Sequence, residues 1–356
     1  MYKRVVIKVG TRVLTTDEGL PDITVLRHLA EQIVHAKRHG VEVVLVTSGA
    51  MAAGRSVLKV KQSEKLAEKQ VLAAVGQVKL MSMYADLFAK QGEVCAQVLA
   101  SKEDFRDRLH YLNMRTCFEN LLVNGVIPIV NENDVVATTE LLFTDNDELA
   151  GLVASQLNAD AVIILSSVDG FLVSDTAAKK PTVISKIDYN TFKTYQKYIS
   201  SEKTAAGRGG MATKFAIARK LTSEGISVHM AHGARRNVLT DILEGVRIGT
   251  VFAPQKKLSS VKRRIAHSEG LAKGFAQVNK CAEEMLLSRT KIMSLLPVGV
   301  TKIGGAFQKG DIIEIVGHRK QKLGFGIAQY DSIKASDVLG TQKAKALIHY
   351  NHMVIL

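Results

Sequence analysis

Short apolar runs that alternate with helical patterns constrain the fold of this chain more than any other feature. A run such as A-V-I-I-L (161–165) has no polar face, which is typical of a strand covered on both sides. The strand-like runs are 5–9, 41–46, 93–99, 126–130, 161–165 and 226–231, and helical segments begin near residues 22, 64, 108, 145 and 211. This alternation predicts an α/β fold, in which a mostly parallel sheet lies between two layers of helices (three-layer αβα).

The character of the chain changes after Pro254. Residues 1–254 carry 31 basic and 27 acidic side chains, whereas residues 255–356 carry 17 and 7. We expect an α/β domain over 1–254, a basic linker over 255–290 and a small β-barrel-like domain over 291–356, where short β-runs alternate with glycine turns. The concentrated positive charge is compatible with contact to a polyanion such as RNA, or with a solubilising surface.

Three isolated cysteines argue against a disulfide framework and against a structural zinc site. They are Cys95, Cys117 and Cys281, and no two of them form a C-x-x-C pair. The N-terminus enters a strand-like run at once and lacks the pattern of a signal peptide. No apolar run approaches the roughly 18 residues of a membrane span. We therefore expect a cytoplasmic protein with no membrane partner.

Polar residues cluster directly after several of the predicted strands. In open α/β sheets, ligands bind outside the carboxyl ends of the strands, so these clusters mark the expected site. The sequence lacks G-x-x-x-x-G-K-[ST] and the protein-kinase motifs, and its G-x-G at 207–209 is a weak dinucleotide signal. The clusters are Gly10, T-S-G-A (47–50), N-E-N-D (131–134) and S-S-V-D-G (166–170).

Two lysines occupy positions that are unfavourable without an anionic partner. Lys8 lies inside an apolar strand, where burial penalises its ammonium group, and Gly10 would let the backbone approach a phosphate. Lys214 follows the loop G-R-G-G-M-A (207–212) and falls in the first turn of a helix, where it opposes the positive helix end. A bound phosphate would remove both conflicts. The alternatives are an outward-facing lysine on an edge strand and a flexible loop before a surface helix.

Amides and carboxylates in two neighbouring segments suit the charged groups of an amino acid. These segments are N-E-N-D (131–134) and D-N-D-E (145–148), and T-S-G-A (47–50) resembles an anion-binding turn at a helix start. Simpler interpretations also exist. Asp145 could be only a helix N-cap, and Ser48 could cap an ordinary strand-to-helix turn.

Taken together, these motifs resemble those of the amino-acid kinase family, in the branch that phosphorylates glutamate. The residues from S-L-L-P-V-G-V (294–300) to the C-terminus resemble a PUA domain. The resemblance implies the amino-acid kinase fold, ATP and Mg²⁺ as cofactors without dedicated metal-ligand residues, and phosphorylation of the L-glutamate γ-carboxylate as the first step of proline biosynthesis. It also implies a homo-oligomer, proline feedback, a downstream glutamyl-phosphate reductase and possible RNA contact. The motifs are K-V-G-T (8–11), S-G-A-M-A-A-G-R (48–55), N-E-N-D-V-V-A-T (131–138), F-T-D-N-D (143–147) and G-G-M-A-T-K (209–214).

The resemblance also implies roles for individual residues, with Lys8 and Lys214 as the catalytic pair. Two departures affect the nucleotide side, because the family usually has Thr-Asp at Ser166-Ser167 and often has Thr at Arg208. The glutamate-binding residues would be Ser48, Gly49, Asp134, Asn146 and Asp147. The nucleotide-binding residues would be Lys8, Gly10, Ser166, Ser167, Gly209, Gly210, Met211, Ala212, Thr213 and Lys214.

Two other functions stay open from the sequence. One is an RNA-binding protein that retains a degenerate kinase scaffold, and the other is a kinase whose acceptor is aspartate or N-acetylglutamate.

Overall fold

The structure is a computed structural model, and its described residues fall into two compact units. The larger unit comprises Met1–Asp104 and Tyr111–Lys257, and the smaller comprises Phe105–His110 and Leu258–Leu356. The described residues are 2–58, 66–136, 143, 145–173, 181–199, 210–254, 265, 272–288, 293–341 and 344–355.

The larger unit is built on an eight-stranded sheet. The strands described in this unit, inside and outside that sheet, are β1 (Arg4–Val9), β2 (Glu42–Val46), β3 (Cys95–Ala100), β4 (Ile127–Glu132), β5 (Ala161–Ser166), β6 (Leu172–Val173), β7 (Thr182–Val183), β8 (Lys186–Asp188), β9 (Ser227–His232) and β10 (Thr250–Ala253). The strand order is β3-β4-β2-β1-β5-β9-β10-β8, while β6 and β7 form a separate pair. Every neighbouring pair in the main sheet is parallel except β9 with β10. The predicted, mostly parallel sheet is confirmed.

Helices cover both faces of this sheet. The helices described between residues 11 and 243 are α1 (Thr11–Leu14), α2 (Ile23–Arg38), α3 (Ala50–Val57), α4 (Leu66–Ala89), α5 (Lys102–Arg106), α6 (Arg108–Val123), α7 (Asn146–Gln156), α8 (Phe192–Gln196), α9 (Met211–Ser223) and α10 (Val238–Leu243). On one face, α2, α4 and α10 bury apolar side chains against the alternate residues Val5, Ile7 and Val9 of β1. The other face packs against α7 and α9. Both faces of each central strand are therefore buried, which is why these strands are apolar throughout.

Two glycines let α3 and α4 approach each other at backbone distance. A Cβ atom at Gly54 would lie 2.1 Å from the carbonyl oxygen of Leu72, and one at Gly76 would lie 1.7 Å from that of Ala50. Any side chain at either position would push the helices apart. This contact fixes α4 beneath the turn that joins β2 to α3.

By length and composition, α4 could span a membrane, a test that the core helix of a soluble protein also passes. In the part of the chain that the structure describes, no other helix passes it. Leu80, Tyr84 and Phe88 of α4 are buried in the core of the larger unit. The helix thus packs as a core element of this unit.

The smaller unit contains a five-stranded sheet with the order β12-β11-β13-β14-β15. Neighbouring strands are antiparallel except β11 with β13. Its strands are β11 (Gly274–Val278), β12 (Val300–Gly305), β13 (Ile312–Val316), β14 (Lys322–Ala328) and β15 (Ile348–Ile355), with helices α11 (Lys280–Leu287) and α12 (Ser332–Asp337).

The structure differs from the predicted linker over 255–290. Residues 274–287 of that interval form β11 and α11, and β11 pairs with both β12 and β13. A single five-residue run gives little periodicity, so its place in the sheet depends on pairing with strands that come later in the chain. Most of the preceding segment, 255–271, lies outside the described residues.

Candidate active site

A cleft of about 610 Å³ lies at the carboxyl ends of the central strands of the larger unit. Strand β1 occupies the middle of this edge, between β2 and β5, and β4 lies next to β2. The polar clusters that follow these four strands therefore converge, as the sequence predicted. Among the predicted site residues, those that line the cleft are Lys8, Gly10, Ser48, Gly49, Asp134, Asn146, Ser166, Ser167, Gly210, Met211 and Lys214.

The two predicted lysines meet at one carboxylate. The Nζ atom of Lys8 lies 2.6 Å from Oδ1 of Asp147, and Nζ of Lys214 lies 3.0 Å from Oδ2. Both lysine side chains are largely buried and the Asp147 side chain is fully buried, so the three groups are screened little by water. Asp147 is the anionic partner expected for Lys8. The alternative of an outward-facing lysine on an edge strand is wrong, because β1 is central and Lys8 is buried.

Local sequence brings these three residues to the same point. Lys8 is the penultimate residue of β1, and Lys214 lies in the first turn of α9, whose N-cap is Gly210. The Oδ1 atom of Asp145 accepts hydrogen bonds from the backbone N–H groups of Asp147 (2.8 Å) and Glu148 (3.1 Å). Asp145 is therefore the N-cap of α7, as one interpretation of the sequence held, and it fixes the turn that presents Asp147 to the lysines.

The two buried aspartates have opposite pKa shifts. Burial alone would raise the pKa of Asp147, but the charges and hydrogen bonds of Lys8 and Lys214 outweigh it and leave this pKa below its ordinary value. Burial, together with the charge of Asp147, raises the pKa of Asp145 to about 6, although both lysines act against this rise. Asp147 thus stays ionised at neutral pH, whereas Asp145 gains a proton in mildly acidic solution.

Side-chain amides form the opposite end of the cleft. The Nδ2 atom of Asn146 donates to the carbonyl oxygen of Thr47 (2.7 Å), to Oγ of Ser48 (2.9 Å) and to Oδ1 of Asn131 (3.1 Å). The N-cap of α3 is Gly49, with φ of +99°, and it makes no side-chain cap bond. Ser48 is therefore not a helix cap. Its hydroxyl instead joins β2 to α7 at the cleft.

The remaining predicted residues differ in whether they line the cleft. Ser166 is buried and Ser167 is exposed, and both line the cleft close to Gly10, whose N–H donates to the carbonyl oxygen of Leu165 at 3.1 Å. Asp147 lies beneath the cleft and does not line it, and Ala212 and Thr213 on α9 are likewise absent from the lining. Gly209 and Arg208 lie outside the described residues.

Several lining residues were not predicted as site residues. Some of them belong to motifs that the sequence singled out, so their position could have been inferred: Thr11, Ala50, Met51, Ala52, Arg55, Asn131, Glu132, Asp145 and Val168. The others carry no local signal, because they reach the cleft only through tertiary packing. They are Arg12, Val13, Leu66, Lys69, Gln70, Leu172, Tyr198 and Ile199.

A divalent cation would find few protein ligands in this cleft. Among the described residues, no group of three or more His, Cys, Asp or Glu side chains is arranged to hold a metal ion. One atom does fit such an ion, because Oδ2 of Asp145 is buried and has no hydrogen-bond partner in the described part of the chain. A carboxylate oxygen is the ligand type that Mg²⁺ prefers, so Asp145 can supply one ligand while phosphate and water supply the rest.

Comparisons with known proteins identify the family to which this chain belongs. The amino acid kinase family model matches residues 3–232, and the PUA domain model matches residues 274–350. A glutamate 5-kinase from Chlorobaculum tepidum is 48% identical, with 100% of this chain and 98% of that protein covered. A glutamate 5-kinase from Bacteroides thetaiotaomicron is 43% identical, with 99% of each covered. A solved UMP kinase from Bacillus anthracis aligns with 72% of this chain and 97% of its own, at a TM-score of 0.48 and 18% identity. The chain belongs to the amino acid kinase family.

Proposed function

We propose that this chain transfers the γ-phosphoryl group of ATP to the γ-carboxylate of L-glutamate. The product is L-glutamyl 5-phosphate, and the reaction is the first step of proline biosynthesis. The observation that carries this proposal is the pair Lys8 and Lys214, held on Asp147 at 2.6 and 3.0 Å beside a cluster of amides and carboxylates. The relatives named glutamate 5-kinase, which match over almost the entire chain, support the same acceptor.

The arrangement suits phosphoryl transfer to a carboxylate. A glutamate side chain has a pKa of about 4.3 and is already ionised at neutral pH, so the acceptor needs no general base. The work left to the protein is to position the two substrates and to offset the negative charge on the transferring group. Lys8 and Lys214 carry fixed positive charges at one point of the cleft, and Asp147 holds both ammonium groups in place.

The acceptor and the nucleotide would occupy the two sides of these lysines. Ser48, Gly49, Asp134 and Asn146 would hold glutamate, and Asp147 would act through the lysines that it orients. Gly10, Ser166, Ser167 and the segment 209–214 would contact ATP. Ser166 and Ser167 offer hydroxyls where the family usually has Thr-Asp, so these two side chains would contact the nucleotide without a charge.

Mg²⁺ fits as a cofactor that is held largely by the phosphates of ATP. When bound, it would supply further positive charge to the phosphates. Asp145, whose buried Oδ2 atom has no hydrogen-bond partner among the described residues, would hold it. Because α7 begins directly after Asp145, the helix N-terminus keeps this carboxylate in place through two backbone N–H donors.

Further features of domain organisation, assembly and interaction belong to the same proposal. We propose that the larger unit corresponds to a kinase domain ending near residue 254 and that the PUA domain lies in the smaller unit. We also propose a homo-oligomer with proline feedback, since the family resemblance implies both, and a cytoplasmic location. The acyl phosphate product is labile, so a reductase would consume it next. RNA contact through the basic smaller unit is the remaining proposed interaction.

Trapping the acyl phosphate with hydroxylamine tests the proposed function. The purified chain with Mg-ATP should form glutamyl hydroxamate and ADP in equal amounts, and aspartate or N-acetylglutamate should give much less hydroxamate. Strong hydroxamate formation from either competitor would reassign the acceptor. Absence of any acceptor-dependent ADP, together with steeply salt-dependent RNA binding, would favour the RNA-binding alternative.

A further inference from the structure

Three side-chain amides form a hydrogen-bonded chain from α4 to the cleft. Oε1 of Gln77 accepts from Nδ2 of Asn131 at 2.9 Å, and Oδ1 of Asn131 accepts from Nδ2 of Asn146 at 3.1 Å. Gln77 and Asn131 are both buried, at 9% and 3% exposure, and Asn146 lines the cleft. Gln77 does not line the cleft, and among the described residues its hydrogen bonds link it to the cleft through Asn131 and Asn146.

Backbone groups fix the orientation of Asn131 and Asn146 and, through them, the direction of both hydrogen bonds that join the three amides. The carbonyl oxygen of Thr47 can only accept, so Asn146 must turn its NH₂ group toward it, at 2.7 Å. The N–H group of Glu132 can only donate, so Asn131 must turn Oδ1 toward it, at 3.0 Å. The NH₂ group of Asn131 then faces Gln77 and needs an acceptor there. Neither Asn131 nor Asn146 can rotate by 180° without breaking a bond to the backbone, and a rotated Gln77 would turn its own NH₂ group toward that of Asn131.

This direction decides what the cleft offers to a ligand. The NH₂ group of Asn146 is occupied by Thr47, Ser48 and Asn131, so its Oδ1 is the amide atom left to a bound molecule. A carbonyl oxygen accepts hydrogen bonds, and the α-ammonium group of an amino-acid substrate donates them. The amide chain therefore selects for an ammonium group at this end of the acceptor.

We propose that Gln77 is a positioning residue for the acceptor substrate, a role that rests on the function proposed above. By accepting from Asn131, it keeps the Asn131 amide in the plane in which Oδ1 meets Asn146. Asn146 then presents Oδ1 to the ammonium group of glutamate.

The burial of Gln77 supports a role beyond packing. Its Nε2 atom is buried and has no hydrogen-bond partner among the described residues. An unpaired buried N–H group is unfavourable by about 1–3 kcal/mol, and an apolar residue of similar size would avoid it. The neighbouring Gly76 packs against Ala50 at backbone distance, which fixes the position of this part of α4. Its acceptor atom is thus the part of the side chain that the structure uses.

Three variants test the proposal. Gln77→Met removes the acceptor but keeps the volume, and it should raise the KM for glutamate about 10-fold, because Asn131 is left with an unpaired buried donor. The KM for ATP and kcat should each stay within about 2-fold, since the lysine pair is not touched. Gln77→Glu keeps an acceptor oxygen and should lie closer to wild type. Gln32→Met is the matched control, because Gln32 is also 9% exposed and accepts from the backbone N–H of Leu239 at 2.8 Å, away from the cleft.

The outcomes separate a positioning role from a structural one. If Gln77→Met and Gln32→Met lose similar stability but only the first changes the KM for glutamate, the proposal holds. An unchanged KM for glutamate in Gln77→Met, or an equal rise in both KM values, overturns it.

A spectroscopic measurement does not depend on turnover. The side-chain NH₂ resonances of Asn131 and Asn146 should shift in Gln77→Met and not in Gln32→Met, and unshifted resonances overturn the proposal. Failure of the wild-type chain to form glutamyl hydroxamate would refute the proposed function instead.

Discussion

Replacing Asp147 with asparagine removes a negative charge from between two buried lysines while keeping the size of the side chain. In the wild type, Lys8 and Lys214 share this carboxylate at 2.6 and 3.0 Å. Asparagine offers one carbonyl oxygen to one lysine, and its NH₂ group must face the other. One ammonium group thus meets a donor, and two like charges share a site with no anion directly between them.

The expected loss of stability follows from burial. Removing one partner of a buried ion pair destabilises a protein by about 3–5 kcal/mol, because the other charge is left uncompensated. The lysine side chains retain 7% and 12% of their exposure, so some relaxation toward water is possible. We therefore expect the free energy of unfolding of Asp147→Asn to fall by about 3 kcal/mol in the absence of nucleotide.

Nucleotide should partly reverse this loss. The phosphates of ATP bring negative charge to the same lysines, so ATP replaces in the variant the charge that Asp147 supplies in the wild type. Saturating ATP should therefore raise the free energy of unfolding of Asp147→Asn by more than it raises that of the wild type. The kcat should still fall at least about 10-fold, because the ammonium groups lose their fixed positions.

Urea unfolding with and without Mg-ATP measures the loss of stability and its partial recovery with nucleotide. The control is Asp188→Asn, which breaks an exposed pair with Lys186 at 2.9 Å and should change stability by less than about 1 kcal/mol. If Asp147→Asn is as stable as the wild type, or gains no more than it from ATP, then Asp147 does not hold the lysine charges as argued.

Three further substitutions test other parts of the site. Lys214→Ala should lower kcat at least about 100-fold with a modest change in the KM for glutamate, and near-normal turnover would exclude its phosphoryl role. Folding raises the pKa of Asp145 from 3.8 to about 6, so its ionisation lowers the free energy of unfolding as pH rises through that interval. Asp145→Asn should therefore be more stable than the wild type at pH 7 by up to about 3 kcal/mol. In urea titrations, the free energies of unfolding of the two proteins should converge below about pH 4. Gly76→Ala should lower the urea midpoint by the equivalent of 3 kcal/mol or more, since its Cβ would lie 1.7 Å from the carbonyl oxygen of Ala50, and a normal midpoint would contradict the close contact between α3 and α4.

Local patterns predicted the elements that surround the site. The apolar runs and helical spacings located β1, β2, β4, β5, α7 and α9 to within one to three residues, because these patterns repeat over distances of a few residues. They missed β8, β10 and β11, which have three to five residues each and are specified by their partners in the sheets. They also missed Leu172 as a lining residue of the cleft, since nothing in its own segment marks it.

The sequence by itself determined which side chains were candidates, because a lysine in an apolar strand and a lysine at a helix start are each unfavourable on local grounds. Only the tertiary structure decided that Asp147, and not the neighbouring Asp145, joins both lysines. It likewise decided that Gln77 supports Asn131 across 54 positions of the chain. Such pairs depend on strand order and on the direction in which each side chain leaves its element, and a local pattern encodes neither of these.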